Sequence, residues 1–174
     1  MADNIILIGF MGVGKGRTAR ALAELSGRFA VDTDDLIESM VKKKIRRIFA
    51  EHGEARFREL EQQAADWLEA HVTGTVVSTG GGFFKVNNLK RLGSVVYLHS
   101  PVSDILASIH CHPNAAKKIK KRPLLQNLAQ AEELFRERLP QYRLAADYEI
   151  SVTGKEPQET AAEIIAEIIN LPGR

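Results

Sequence analysis

The residues best placed to do chemistry lie near the start of the chain. Gly9-Phe10-Met11-Gly12-Val13-Gly14-Lys15-Gly16 follows the apolar run Ile5-Ile6-Leu7-Ile8 and leads into Thr18-Ala19-Arg20-Ala21-Leu22-Ala23-Glu24-Leu25, which reads as a helix. Strand, glycine-rich turn, lysine and helix is the context in which such a turn binds phosphate. Glycines let backbone N–H groups converge on an anion, and the helix N-terminus adds unpaired donors and partial positive charge. Lys15 puts a point charge where β- and γ-phosphates would lie. One letter departs from the pattern. Ser or Thr, a Mg²⁺ ligand, belongs after the lysine, and Gly16 stands there instead. Thr18 is about 200° round the helix from that position and is not expected to replace it.

Further chemistry is spread along the chain. Asp32 and Asp34, two apart on an extended segment, would point to one face and suit a metal and an alcohol. Asp32-Thr33-Asp34-Asp35 also reads as a turn that caps a helix. Gly80-Gly81-Gly82 would let backbone N–H groups approach a ligand, or is a plain loop. Arg58 and Glu61, one helical turn apart, read on their own as a surface ion pair. Lysine and arginine cluster at 42–47 and 117–122, where a solvated basic face is the simplest reading. His110-Cys111-His112 lacks ordinary metal-ligand spacing.

The elements that must position these groups alternate. Strands are predicted at 4–9, 29–32, 75–79, 94–98 and 148–152, and helices at 15–26, 36–44, 45–51, 54–70, 87–92, 102–109, 129–139 and 157–170. Gly27 stops the first helix, Gly53 separates the third from the fourth, and Pro140 ends the seventh. Leu36, Ile37, Met40 and Val41 form one apolar stripe, and Phe57, Leu60, Ala64, Trp67 and Leu68 another. Residues 110–121 read as an irregular mobile segment. Alternating strands and helices predict an α/β domain with a parallel sheet, in which ligands sit beyond the carboxyl ends of the strands. The glycine loop, Asp32–Asp34 and the triple glycine all fall at such ends, so they are expected to share one site. The 174 residues suit one domain with a full core. No apolar run is long enough for a membrane span, and the N-terminus lacks a secretory signal. A single cysteine, Cys111, excludes an internal disulfide and fits the cytoplasm. A net charge of +2 with no aromatic platform beside the lysines argues against nucleic acid.

In order, the motifs resemble the shikimate kinases, a family of small nucleoside-monophosphate-kinase-like enzymes. Leu7 to Lys15, Val31 to Glu38, Ile48 to Glu61, Val77 to Gly82, Arg122-Pro123-Leu124-Leu125 and Arg138-Leu139-Pro140-Gln141-Tyr142 carry the resemblance over nearly the whole chain. It implies a three-layer P-loop kinase fold, with a five-stranded parallel sheet flanked by helices, a substrate-binding segment at about 33–61 and a lid at about 110–125. It implies ATP-dependent phosphorylation of the 3-hydroxyl of shikimate, on the route to chorismate and the aromatic amino acids, with ATP and Mg²⁺ as cofactors, in a cytoplasmic monomer. Gly12, Val13, Gly14, Lys15, Gly16, Arg17 and Arg122 would bind ATP, with Lys15 and Arg122 neutralising transferred charge. Asp32 would hold the metal through water, and Asp34 would be the base. Asp34, Arg58, Gly81, Gly82 and Arg138 would bind shikimate, with Phe49 and Phe57 walling its ring or belonging to the core.

Three features depart from the family: Gly16, Ser108 where an adenine-stacking arginine is usual, and the basic stretch Lys44-Ile45-Arg46-Arg47. The segment before Arg122 is also longer and more basic than usual. Two other readings follow, a kinase of another hydroxy-acid such as gluconate, and a nucleotide-binding homologue that has lost catalysis.

Overall fold

The computed structural model describes residues 3–111, 113–120 and 123–170. Its strands are β1 (Ile5–Ile8), β2 (Phe29–Asp32), β3 (Thr75–Ser78), β4 (Ser94–His99) and β5 (Tyr148–Ser151). They form one five-stranded sheet in the order β2-β3-β1-β4-β5, and every pairing is parallel. The central strands β1 and β4 are buried on both faces, which explains their unbroken apolar runs. The helices are α1 (Lys15–Ser26), α2 (Thr33–Val41), α3 (Ile45–His71), α4 (Val102–His110), α5 (Ala115–Lys120), α6 (Leu128–Ala145) and α7 (Pro157–Asn170). They flank the sheet: α1 packs on β2, β3 and α7, while α6 packs on β4 and α4. Among the described residues no helix is long and apolar enough to cross a membrane.

Helix α2 starts at Thr33, three residues before the apolar stripe, because the Asp32 side chain accepts from Asp34 N at 2.9 Å and caps it. Asp34 therefore sits in the first helical turn rather than on an extended segment. Of the α2 stripe, Ile37 is buried but Met40 is 54% exposed. Gly53 does separate two helical stretches: inside α3 it takes φ 76°, ψ 178°. Trp67 is 46% exposed, because it lies about 80° from Phe57 around the helix, at the flank of the buried stripe. The expected helix at 87–92 shrinks to a 3₁₀ turn at Leu89–Arg91. Within the segment read as irregular, Ala115–Lys120 is helical.

Helix α6 continues past Pro140, the residue expected to end it. An interior proline costs roughly 3 kcal/mol. Here Pro140 and Arg136, whose carbonyl it leaves unpaired, are both exposed to water. On the inner side Tyr142 is fully buried and stacked on Tyr97, with ring centroids 5.1 Å apart. Keeping the helix continuous carries Arg138 and Tyr142 to one place on the sheet's carboxyl edge.

Candidate active site

The carboxyl ends of β1, β2 and β3 open into a cavity of about 440 Å³, lined by Gly12, Lys15, Gly16, Arg17, Asp32, Asp34 and Gly81 among others. A second cavity of about 390 Å³ adjoins it across the glycine loop. Its walls include Val13, Gly14 and Arg17, then Asp104, Ser108 and Cys111 of the α4 region, and Thr153 to Pro157. Ser108, at the position read as the missing adenine-stacking arginine, lines both.

The loop is held open by backbone geometry. Gly14, the N-cap of α1, has φ 107°, a conformation that other residues rarely adopt. Lys15 is buried, and its Nζ donates to Gly9 O at 2.7 Å and Phe10 O at 3.0 Å. The carboxylates come from β2 and its junction with α2. Asp32 pairs in register with Ser78 of β3, and Ser78 Oγ donates to Asp32 Oδ2 at 2.8 Å.

Asp34 is half-buried, and its Oδ1 is closed off from water without a hydrogen-bond partner. Burial, reinforced by the nearby charges of Asp32 and Glu61, raises its carboxyl to about 7, with Lys15 opposing. Glu61 is 1% exposed and its carboxyl is also raised by burial, against the pull of Arg58. Arg58 donates to Glu61 and, at 2.7 Å, to Glu54. The helix pair is thus real, but one partner is buried at the site rather than on the surface.

The triple glycine is where these groups meet. A Cβ on Gly80 would lie 2.7 Å from Asp34 Oδ1 and 3.0 Å from Glu61 Oε1, and one on Gly82 would collide with the Arg58 guanidinium. Gly80 N donates to Thr33 Oγ1 at 3.1 Å. Gly81 O accepts from Arg138 Nη1 at 3.1 Å and from Tyr142 OH at 2.6 Å. Arg138 is 9% exposed, and its Nε has no partner. Phe57 belongs to the core, with Phe49 tilted against it at 4.8 Å and partly exposed.

Lys15, Gly16, Asp32, Asp34 and Gly81 thus surround one cavity, while Arg58 and Arg138 approach the glycine loop that forms its wall. Arg122 lies outside the described residues. Sequence reasoning did not single out Thr33, Ser78 or Tyr142. Ser78 had a local signal, a hydroxyl at a strand end beside three glycines, whereas Tyr142 was hidden behind Pro140.

Mg²⁺ takes oxygen ligands and keeps several waters. Asp32 and Ser78 offer such oxygens at the cavity, and the set fits a hydrated ion held through Asp32. Residue 16 offers none, and Thr18 lines the second cavity rather than this one.

The basic stretch at 42–47 is partly neutralised: Lys44 pairs with Glu38 at 2.5 Å, and Lys43 and Arg47 share Glu51 at 2.6 and 2.9 Å.

Comparison with known proteins converges on one family. The shikimate kinase family model matches residues 11–169. A shikimate kinase of Helicobacter hepaticus is 39% identical over 149 residues, covering 86% of each chain. One of a Sulfurihydrogenibium species is 38% identical over 170 residues, covering 95% of this chain and 97% of that one. The solved shikimate kinase of Acinetobacter baumannii in complex with shikimate superposes with a TM-score of 0.85 at 33% identity, covering 100% of this chain and 97% of that one. Matched from its phosphate loop to its last helix, the chain belongs to the shikimate kinase family, whose members use ATP and Mg²⁺.

Proposed function

We propose that the chain catalyses the family's reaction, transfer of the γ-phosphoryl group of ATP to the 3-hydroxyl of shikimate, for aromatic amino-acid synthesis. The observation that carries this is the set of unpartnered buried polar atoms, Asp34 Oδ1, Glu61 Oε1 and Arg138 Nε. Native structures leave few such groups unsatisfied. An acceptor on Asp34 and a guanidinium donor on Arg138, on either side of the Gly80–Gly82 loop, complement a hydroxyl and a carboxylate on one small molecule.

The roles are those the family resemblance implies, and the positions of the described residues are consistent with them. Asp34 accepts a hydrogen bond from the reacting hydroxyl and takes its proton as the new bond to the γ-phosphorus forms and the bond from that phosphorus to the bridging oxygen of the departing ADP breaks. Arg58 and Arg138 grip the carboxylate, and Gly81 and Gly82 bring backbone N–H groups close to the ring. Gly12, Val13, Gly14, Gly16 and Arg17 bind ATP with Lys15, which turns from the loop carbonyls to the phosphates. Arg122 joins them there. Asp32 would hold Mg²⁺ through water, and the ion would supply charge neutralisation to the transferring phosphates. The chain acts as one domain and as a cytoplasmic monomer, with 33–61 as substrate-binding segment and 110–125 as lid, and it binds neither membrane nor nucleic acid.

An ADP-release assay tests the reading. Turnover with shikimate and none with gluconate is the expected result. Turnover with gluconate would move the chain to another acceptor, and nucleotide binding without turnover on either would make it a kinase that has lost catalysis.

A further inference from the structure

The pattern of the glycine loop calls for a hydroxyl after the lysine, and Gly16 has none. A Cβ on Gly16 would lie 3.9 Å from Ser78 Oγ and 3.7 Å from Arg20 Nη1. These two groups therefore border the space that a serine or threonine side chain would fill. Arg20 is exposed and cationic, so it repels a metal ion and cannot stand in for an oxygen ligand. Ser78 is buried at the end of β3, fixed by register beside Asp32.

Its hydroxyl is also oriented. The Ser78 proton is committed to Asp32 Oδ2 at 2.8 Å. A hydroxyl carries one donor and two acceptor lone pairs, so the lone pairs stay available on the other side. A water bound to Mg²⁺ is a strong donor and needs such an acceptor. The bare Cα of residue 16 leaves room for that water.

We propose that Ser78 is the metal-positioning residue of this chain. Its hydroxyl accepts a hydrogen bond from a metal-bound water that occupies the space left by Gly16, in place of the loop hydroxyl. The water's hydrogen bond passes to Ser78, and that of Ser78 to Asp32, so one oxygen chain orients the ion without a side chain at residue 16. This rests on the reading of the cavity as an Mg²⁺–nucleotide site.

The test is the Mn²⁺ affinity of the ADP-saturated protein, read by electron paramagnetic resonance, with ADP affinity in EDTA measured alongside. Ser78→Ala is expected to weaken Mn²⁺ binding about tenfold or more, the usual cost of losing a group that orients metal ligands, and to leave ADP affinity in EDTA unchanged. Gly16→Ser is expected to change little alone but to restore most of the loss in the Ser78→Ala background, the non-additivity of two groups filling one role. If Ser78→Ala folds poorly, the isosteric pair Ser78→Thr and Ser78→Val carries the comparison, with Thr retaining Mn²⁺ and Val losing it. Unchanged Mn²⁺ affinity on removing the hydroxyl would overturn the proposal. So would equal gains from Gly16→Ser in both backgrounds, or a Ser78→Ala loss that Gly16→Ser does not repair. A parental protein that fails to bind ADP in EDTA would instead sink the nucleotide-site reading, and this proposal with it.

Discussion

At the phosphate end of the cavity, Lys15 Nζ already donates to two loop carbonyls, at 2.7 and 3.0 Å. At the acceptor end, Asp34 Oδ1, Glu61 Oε1 and Arg138 Nε are buried without partners. The first end is made mainly of backbone, and its buried lysine side chain is satisfied before any ligand arrives. The second is made of side chains brought from β2, α2, α3 and α6, and it carries the cost of unmet polar groups, about 1–3 kcal/mol for each. A general phosphate site can be prebuilt from the chain's own amides, whereas a site for one particular hydroxy-acid must hold groups in reserve. Substitutions at the acceptor end should therefore separate stability from activity.

The largest effect is expected at Asp34. Replacing it with Asn removes the proton acceptor, and kcat should fall about 10³-fold. The same change should stabilise the ligand-free protein at high pH. Folding raises this carboxyl from 3.8 to about 7, so between those values the folded state holds a proton that the unfolded state has released. Stability on this account is fullest below the unfolded value, falls as pH rises toward the folded one, and then levels off. Thermal melts of Asp34→Asn and the parental protein should thus nearly coincide at low pH and diverge in favour of the variant by pH 8. A variant that is inactive and also less stable at pH 8 would mean that Asp34 is not held under strain.

A smaller loss is expected at Arg138. Lysine keeps the charge but cannot make the planar two-point contact with a carboxylate. One charged hydrogen bond is worth roughly 2 kcal/mol, so Arg138→Lys should lower kcat/KM for shikimate about 30-fold and leave KM for ATP unchanged. An equal change in both KM values would erase the distinction between the two ends.

How much of this was legible in the sequence divides along a physical line. The phosphate end was legible, because it is contiguous: an apolar run, glycines with forced geometry and a helix that runs from Lys15 to Ser26 and is capped by Gly27. The first and last helices fall where their stop and start residues put them, with Gly27 at φ 68° and Pro157 opening α7. Of the acceptor end, Asp34 and the triple glycine were legible as strand-end groups, but Arg58 and Arg138 only through resemblance to a family, since the contacts there join residues far apart. Ser78 reaches Asp32 across 46 positions, and Tyr142 reaches Gly81 across 61. Such pairs follow from sheet register and helix packing, which leave no local periodic trace. Asp32 shows the limit most clearly. Its two readings, metal side and helix cap, looked like alternatives, yet one carboxylate oxygen caps α2 while the other faces Ser78.

The finest comparison concerns Tyr142. Its hydroxyl donates to Gly81 O, which also accepts from Arg138 in the ligand-free protein. Removing the hydroxyl in Tyr142→Phe therefore leaves Gly81 O with a partner, and the ring keeps its stacking on Tyr97. Stability should drop by only about 1 kcal/mol, the ordinary net value of one hydrogen bond. When shikimate draws Arg138 to its carboxylate, Gly81 O loses that donor and depends on Tyr142 alone. The hydroxyl should then be worth more in the complex than in the free protein. Shikimate should consequently raise the melting temperature of Tyr142→Phe less than that of the parental protein, while ADP stabilises both equally. Equal stabilisation by shikimate would mean that Arg138 keeps its bond to Gly81 O when the substrate binds, and that its unpartnered Nε alone meets the carboxylate.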